Sequence, residues 1–271
     1  MNILTAPVYS LFSIAFYRQV IREHLGKGFL YVVYLSLITA VIITLMFVLQ
    51  VLPLANPFVD WLQAEMPTIT MSPDGLAIDR PSPLVLTHPT LGPIAIFDMD
   101  KKDVNISDIK DVYVYVTQTK LFVRQRSGEL RVYDLAQAMA EGRGRDGNTQ
   151  PSYLTPESVK RFYNNLKPWV VILLAVICFI AAAVLTLFWA LIYSWFGLIF
   201  NMSRNPKLTF GEVYHVSLYA MTAATVYQWL RMLIPVFGKI PLGFLTGFLL
   251  TIFYLFLAIK KTQETPEIPA V

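Results

Sequence analysis

The chain has 271 residues, of which 55% are hydrophobic and 15% charged, with a formal net charge of +4 and a mean hydropathy of +0.53. This composition lies outside the range of soluble globular proteins and indicates an integral membrane protein. The single cysteine, Cys178, excludes both an intrachain disulfide and a metal site built from several cysteines of one chain.

Four apolar stretches divide the chain, at residues 29–54, 169–200, 214–237 and 242–259. A helix of about 20 apolar residues spans the hydrocarbon core of a bilayer, roughly 30 Å thick, and each stretch reaches or nearly reaches that length. The first stretch is too long for the apolar core of a signal peptide, and no small-x-small cleavage pattern follows it. We therefore predict four transmembrane helices, the first of them a retained anchor.

The second stretch is longer than a bilayer requires. A continuous helix over residues 169–200 would rise by about 48 Å, against about 30 Å of hydrocarbon. An aromatic cluster of the kind found at headgroup level precedes Gly197. We predict that the helix breaks at Gly197 and that residues 198–202 turn along the cytoplasmic surface.

Basic residues lie mainly on one side of the predicted spans. Seven of them precede the first span, join the second to the third or follow the fourth: Arg18, Arg22, Lys27, Arg204, Lys207, Lys260 and Lys261. The positive-inside rule then places both termini in the cytoplasm and residues 55–168 outside it. Those residues carry 13 basic and 14 acidic side chains, so the positive net charge comes from the other parts. It indicates membrane topology, with no nucleic-acid partner.

The segment before the first span predicts an amphipathic helix. Its apolar residues fall on one helical face: Val8, Leu11, Phe12, Ala15 and Phe16. We expect this helix to lie flat on the cytoplasmic leaflet, where apolar burial and attraction to anionic headgroups add, and to end at residues 26–28. The alternatives are a fifth membrane element and a helix packed onto the bundle.

The interval between the first two spans predicts a β-rich domain. Alternating and β-branched segments indicate strands at residues 68–71, 76–79, 84–87, 93–97, 112–117, 121–126 and 129–133, with hairpin turns at 72–75 and 127–128. A short helix is expected at 134–140, followed by a loop at 141–150. Thr155 should cap a last helix that has Pro156 at its first position, runs down to Pro168 and feeds the second span.

The third span is the one with repeated polar side chains. They are Thr222, Thr225, Gln228 and Arg231, with His215 at the cytoplasmic end. Ionisable residues inside a membrane often line a pathway. However, a three-residue step drifts by about 60° per repeat around a helix, so the four do not form one straight stripe. Hydrogen bonding between helices is therefore favoured, and a polar pathway is the alternative.

Two glycines in the fourth span, Gly243 and Gly247, form a small-xxx-small pattern that lets another helix approach closely. Because the preceding connection is short, the expected neighbour is the third span of the same chain.

No reaction signature is present in the sequence. It contains no nucleophile–base pair, paired-carboxylate motif, phosphate-binding loop or His-rich metal spacing, so we predict no catalytic residue, no cofactor and no metal. The acidic segment 98–103 lacks the regular oxygen series of a calcium loop and is expected to be a solvated turn. Four domain aromatics, Tyr113, Tyr115, Phe122 and Tyr133, are expected to pack in the sheet; stacking on a sugar is the alternative.

The chain resembles a known family in the order of its parts and in several short segments. These segments are 66–71 (MPTITM), 94–98 (IAIFD), 208–212 (LTFGE), 217–220 (SLYA) and 255–259 (LFLAI). Together they resemble the bacterial domain of unknown function 1189, whose members are often labelled maltodextrin-utilisation proteins, within a broader Yip1-like membrane superfamily. The resemblance implies a fold and a membrane location, and it supplies no catalytic residues.

The predicted fold class is an α-helical integral membrane protein with four transmembrane helices and an inserted extracytoplasmic β-rich α+β domain. Its parts are an interfacial helix (1–27), the first span (28–54), the external domain (55–168) and a three-helix membrane domain (169–271, spans about 169–197, 214–235 and 242–260). The predicted location is the bacterial cytoplasmic (inner) membrane.

The predicted function is that of a non-enzymatic accessory, scaffold or sensor protein, with a link to carbohydrate uptake implied by the resemblance alone. Expected partners are the lipid bilayer and another membrane or envelope protein or a second copy of the chain, with a carbohydrate ligand as a further possibility. A small transporter or channel that uses the polar third span is the alternative, and a membrane enzyme comes third.

Overall fold

A computed structural model of the chain describes residues 2–72, 75–101, 112–125, 129–135, 137, 151–234 and 243–262. The chain divides into two compact units. The helical unit comprises Met1–Val51 and Val170–Val271, and the β unit comprises Leu52–Trp169. The β unit is therefore an insertion within the sequence of the helical unit.

The helices in these ranges begin with α1 (Ala6–Phe12), α2 (Ile14–Arg22), α3 (Leu25–Met46) and α4 (Leu52–Glu65), and a π-helix, Phe47–Val51, joins α3 to α4. They continue with α5 (Pro156–Asn201), α6 (Phe210–Ala220), α7 (Thr222–Leu233) and α8 (Gly243–Lys261).

Within the described residues, three helical segments are long and apolar enough to cross a membrane: Leu25–Glu65, Pro156–Asn201 and Gly243–Lys261. They contain the first, second and fourth predicted spans. This number of spanning helices is compatible with a membrane protein, as the composition indicated.

The third predicted span consists of two shorter helices, α6 and α7, which are separated at Met221. With 11 and 12 residues they rise about 16–18 Å each, so neither half reaches across about 30 Å of hydrocarbon. The Thr222 hydroxyl donates to the Tyr219 carbonyl at 2.7 Å, and such a side-chain bond competes with the helical hydrogen bonds of the backbone. The fourth crossing stays a prediction.

The N-terminal segment differs from the single amphipathic helix that we predicted. Ser13 separates α1 from α2, and its hydroxyl accepts from the Phe16 N–H at 3.3 Å. Phe12 is 83% exposed whereas Phe16 is 6% exposed, so the predicted apolar residues do not share one face. Phe16 packs edge-on against Tyr219 of α6, with ring centroids 5.5 Å apart. Helix α2 therefore packs onto the bundle, and its position at the cytoplasmic leaflet stays a prediction.

Two predicted helix ends are wrong. Helix α3 begins at Leu25 and continues through Gly26 and Gly28. Helix α5 runs through Pro168 directly into the second predicted span, as expected, but it continues past Gly197 to Asn201. Gly197 lies within the helix at a close contact with α6, where a Cβ would be 2.5 Å from Cγ1 of Val213. The predicted cap is confirmed, since the Ser158 N–H donates to Thr155 Oγ1 at 3.1 Å.

The described residues of the β unit form two sheets. The strands are β1 (Ile69–Ser72), β2 (Gly75–Ile78), β3 (Leu84–His88), β4 (Gly92–Phe97), β5 (Val114–Val116), β6 (Lys120–Arg124), β7 (Leu130–Asp134) and β8 (Ser152–Leu154). One sheet has the order β2-β1-β8 and the other the order β3-β4-β5-β6-β7. All neighbours are antiparallel except β4 and β5, which are parallel.

The predicted hairpins β1–β2 and β6–β7 are confirmed by their antiparallel registers. Residues 73–74 and 127–128 of the predicted turns, most of the predicted helix 134–140 and the loop 141–150 lie outside the described residues. The core of the unit combines both sheets with α4, because Met66, Ile69, Phe97 and Val116 pack together with Trp61.

Candidate functional site

A chain of hydrogen bonds joins α3 to the break between α6 and α7. Tyr31 of α3 and Thr222 of α7 approach with their hydroxyl oxygens 2.6 Å apart, and both side chains are fully buried. The Thr222 hydroxyl has one proton, which it donates to the Tyr219 carbonyl. The Tyr31 hydroxyl is therefore the donor to Thr222. Tyr31 and Tyr219 also stack, with ring centroids 4.3 Å apart.

His215 lies one helical turn before Tyr219 and belongs to the same cluster. Its ring is 2% exposed, packs edge-on against Tyr219 at 5.4 Å and hydrogen-bonds to the backbone of Val20. Gly28 of α3 lets the ring approach, since a Cβ there would lie 2.5 Å from its Cδ2 atom. Among the described residues, neither His215 Nε2 nor the Tyr219 hydroxyl has a hydrogen-bond partner. His215 therefore packs between α2, α3 and its own helix, α6.

The remaining polar residues of the third span have different neighbours. The Thr225 hydroxyl donates to the carbonyl of Met221 in its own helix, at 3.1 Å. Arg231 lies directly against Gly243 of α8, and the Gln228 amide would be 3.6 Å from a Cβ at Gly247. The two glycines therefore lie where α8 packs on α7. Thr222 faces α3 and Arg231 faces α8, so the polar residues do not share one lining surface.

Two further polar contacts, which the sequence did not single out, join the helices. Ser194 of α5 and Ser217 of α6 are buried, with their hydroxyls 3.3 Å apart. The indole of Trp229 donates to Thr39 of α3 at 3.1 Å. Small hydroxyl residues in an apolar stretch are a weak signal for such contacts, because membrane helices contain them widely.

Arg204 closes the loop between α5 and α6. Its guanidinium donates to the Ile259 carbonyl at 2.6 Å and to Thr262 Oγ1 at 2.7 Å, at the C-terminal end of α8. Burial lowers the pKa of Arg204, and the charge of Glu212 opposes that effect. A cation at this end of a helix also interacts favourably with the helix dipole.

An apolar groove, the α3–α5 groove, lies between these two helices. It has a volume of about 490 Å³ and is lined by Leu37, Ala40, Val41, Thr44, Leu45 and Val48 of α3 and the π-helix and by Ala175, Val176 and Phe179 of α5. No residue in the most apolar 18-residue window of α5 is buried within the chain, whereas the corresponding windows of Leu25–Glu65 and α8 are 22% and 33% buried. The Thr44 hydroxyl beside the groove is buried without a hydrogen-bond partner among the described residues.

Among the described residues of the β unit, one carboxylate is buried. Asp98 is 6% exposed, accepts a hydrogen bond from the Tyr115 hydroxyl at 2.8 Å and lies 3.8 Å from the Lys101 ammonium. Tyr115 and Phe122 are buried in packing, whereas Tyr113 and Tyr133 are 59% and 47% exposed. In the part of the chain that the structure describes, no group of three His, Cys, Asp or Glu side chains could hold a metal ion.

These features define a mostly helical protein, compatible with a membrane protein, with a β unit inserted in its sequence. The chain belongs to the family described as "Protein of unknown function (DUF1189)", whose model matches residues 7–259, nearly the whole chain. No curated protein and no solved structure matches it.

Proposed function

We propose that the protein is a non-enzymatic accessory, scaffold or sensor protein of the bacterial inner membrane. In this proposal the α3–α5 groove binds a helix of another membrane protein, and the β unit contacts an extracytoplasmic ligand or partner. The observation that carries the proposal is the α3–α5 groove, which lies beside the most apolar part of α5, where no residue is buried within the chain.

Lipid covers an apolar helix at little cost, so exposure of α5 alone does not require a protein partner. The groove beside α5 adds shape, because its volume of about 490 Å³ lets side chains of a second helix pack between α3 and α5. Thr44 lines the groove, and its hydroxyl has no hydrogen-bond partner in the described residues. Hydrogen bonds of such hydroxyls join membrane helices, and π-helical turns such as Phe47–Val51 occur frequently at functional sites.

Adjacent residues of α5 provide a matched test. Val176 lines the groove and is 49% exposed, whereas Ile177 is 54% exposed and does not line it. Val176→Trp should fill the groove and abolish stoichiometric co-purification of a partner from the native membrane, and Ile177→Trp should leave it unchanged. Equal recovery with both variants, or no stoichiometric partner for the parent protein, would refute the proposal.

The β unit supplies the second part of the proposal. Carbohydrate is the first ligand class to test, because the resemblance links the chain to maltodextrin uptake. A maltodextrin ligand should raise the melting temperature of the β unit within the full-length protein. The absence of a shift with any envelope carbohydrate would remove the sugar-binding part and leave only the partner-binding part.

The packing of α7 counts against the alternative of a transporter or channel. Thr222 is bonded to Tyr31, Thr225 to its own helix, and Arg231 lies against Gly243. A reconstituted flux assay of the double variant Gln228→Leu, Arg231→Leu distinguishes the two functions. A flux that the parent shows and the variant loses would favour transport.

A further inference from the structure

Helix α4 and the start of α5 lie side by side at the end of the β unit where the chain continues into the apolar stretches. The Tyr163 hydroxyl donates to Asn56 Oδ1 at 2.9 Å, and the Lys160 ammonium lies 3.0 Å from Asp60. These two contacts fix the level of one helix against the other. Phe58 of α4 consequently lies at about the level of Phe162 of α5.

This end of the β unit exposes large apolar side chains. The exposed fractions are 76% for Leu54, 37% for Phe58, 66% for Phe162, 42% for Leu166 and 69% for Trp169. Aromatic side chains are enriched at headgroup level, where basic side chains also meet lipid phosphates. Two basic residues, Arg161 and Lys167, occur in the same segment of α5.

The turn between β3 and β4 is fixed to the same end of the unit. The His88 ring lies 4.8 Å from the Trp61 ring and 5.8 Å from the Phe58 ring. Its Nδ1 atom accepts from the backbone N–H groups of Thr90 at 3.2 Å and Leu91 at 3.3 Å. These contacts hold the turn next to Phe58, and Leu91 at its tip is 59% exposed.

The distance of Phe58 from the end of the first apolar stretch agrees with a position among lipid headgroups. Phe58 follows the end of the first apolar stretch, residue 54, by four residues, or about 6 Å of helix. The headgroup layer on each side of a bilayer is about 5–8 Å thick. The β3–β4 turn, whose His88 ring contacts Phe58, therefore lies close to the same layer.

We infer that the β3–β4 turn is a lipid-contacting element, which places Leu91 together with Phe58 and Phe162 in the headgroup layer. The inference rests on the proposed membrane location. It goes beyond the proposed function, because it assigns this end of the β unit to lipid. A soluble ligand or partner must then bind elsewhere on the unit.

The test uses the full-length protein with Cys178→Ala in nanodiscs that contain headgroup spin-labelled lipid. An environment-sensitive fluorophore is attached at Leu91→Cys and, as a control, at Val132→Cys. Val132 is 52% exposed and lies on β7, at the opposite edge of the five-stranded sheet from β3. The inference predicts a blue-shifted and strongly quenched signal at position 91 and neither effect at position 132.

Equal quenching at the two positions, whether weak or strong, would overturn the inference. A third label at Ile177→Cys with spin-labelled acyl chains reports on membrane insertion itself. If position 177 is quenched and position 91 is not, the lipid-contacting turn fails and the membrane location stands. If position 177 is not quenched, the proposed membrane location fails as well.

Discussion

Gly28 allows the His215 ring to pack against α3. A methyl carbon at position 28 would lie 2.5 Å from His215 Cδ2, 2.9 Å from His215 Nε2 and 2.9 Å from Leu218 Cδ1. Non-bonded carbon atoms do not approach this closely. His215 is 2% exposed and Leu218 is fully buried, so neither side chain has free volume into which it could move. Gly28→Ala must therefore separate α3 from α6 or distort the ring position.

The cost of the substitution follows from two opposing effects. Overpacking of a well-packed core costs about 1–3 kcal/mol. Replacing a helical glycine by alanine recovers up to about 1 kcal/mol through helix propensity. Taking about 2 kcal/mol for the first effect and about 1 kcal/mol for the second, the expected net loss in the free energy of unfolding is about 1 kcal/mol. Gly26 provides the matched control in the same helix, because a Cβ there has nothing within 4 Å. Gly26→Ala should stabilise the protein by up to about 1 kcal/mol.

The free energy of unfolding is measured for both variants by titration from a mild detergent into a denaturing one. Helical content in the mild detergent, measured by circular dichroism, shows that each variant folds before the comparison. The order of stability should be Gly26→Ala, parent, Gly28→Ala. If Gly28→Ala is as stable as Gly26→Ala, the close contact between α3 and His215 does not exist.

Three more substitutions have expected outcomes. Tyr31→Phe should lower the free energy of unfolding by about 0.5–1.5 kcal/mol, and a double-mutant cycle with Thr222→Val should show coupling; additive effects would contradict the bond. Arg204→Met should speed deuterium exchange at residues 259–262, because the Ile259 carbonyl loses its donor, and should leave exchange in α3 unchanged. Unchanged exchange at residues 259–262 would contradict this role. Hydrogen bonds from Thr68 lower the pKa of Asp79 below 3.8. The contribution of Asp79 to stability is therefore complete above the ordinary pKa of 3.8, which applies to the unfolded chain. It is lost as the pH falls through the lower pKa of the folded state. Asp79→Asn should then be less stable than the parent at neutral pH in urea titrations, with a difference that disappears in acid; parallel pH profiles would refute this.

The elements that depend on local sequence could be predicted. Apolar length identifies the first, second and fourth spans, and alternation with turn residues identifies the hairpins β1–β2 and β6–β7. The parallel pairing of β4 with β5 and the addition of β8 to β1 were missed, because such contacts join segments that are distant in sequence.

Glycine gave a misleading signal at two helix ends. In a sequence, a glycine can mark either a helix break or a close approach of another element. Gly28 and Gly197 are both of the second kind, since His215 and Val213 pack against them. The difference depends on which helix lies opposite, and that information is absent from the local sequence.

The polar residues of the third span could be found from polarity alone, because such side chains are rare in apolar stretches. Their partners could not. Tyrosine is an ordinary residue near membrane surfaces, so nothing in the sequence distinguished Tyr31 as the donor to Thr222. The sequence also gave no reason to expect that Thr222 and Arg231 face different helices.

The bond between Tyr31 and Thr222 has a consequence for biosynthesis, since 191 residues separate its two ends. Synthesis at about 5–20 residues per second takes on the order of 10–40 s to cover that interval. In the proposed topology the β unit crosses the membrane during this time, and α3 enters the bilayer before the Thr222 acceptor of its Tyr31 hydroxyl has been made. The nascent first span of the proposed membrane protein therefore needs a temporary polar neighbour, such as water or a side chain of the insertion machinery, until α6 and α7 arrive.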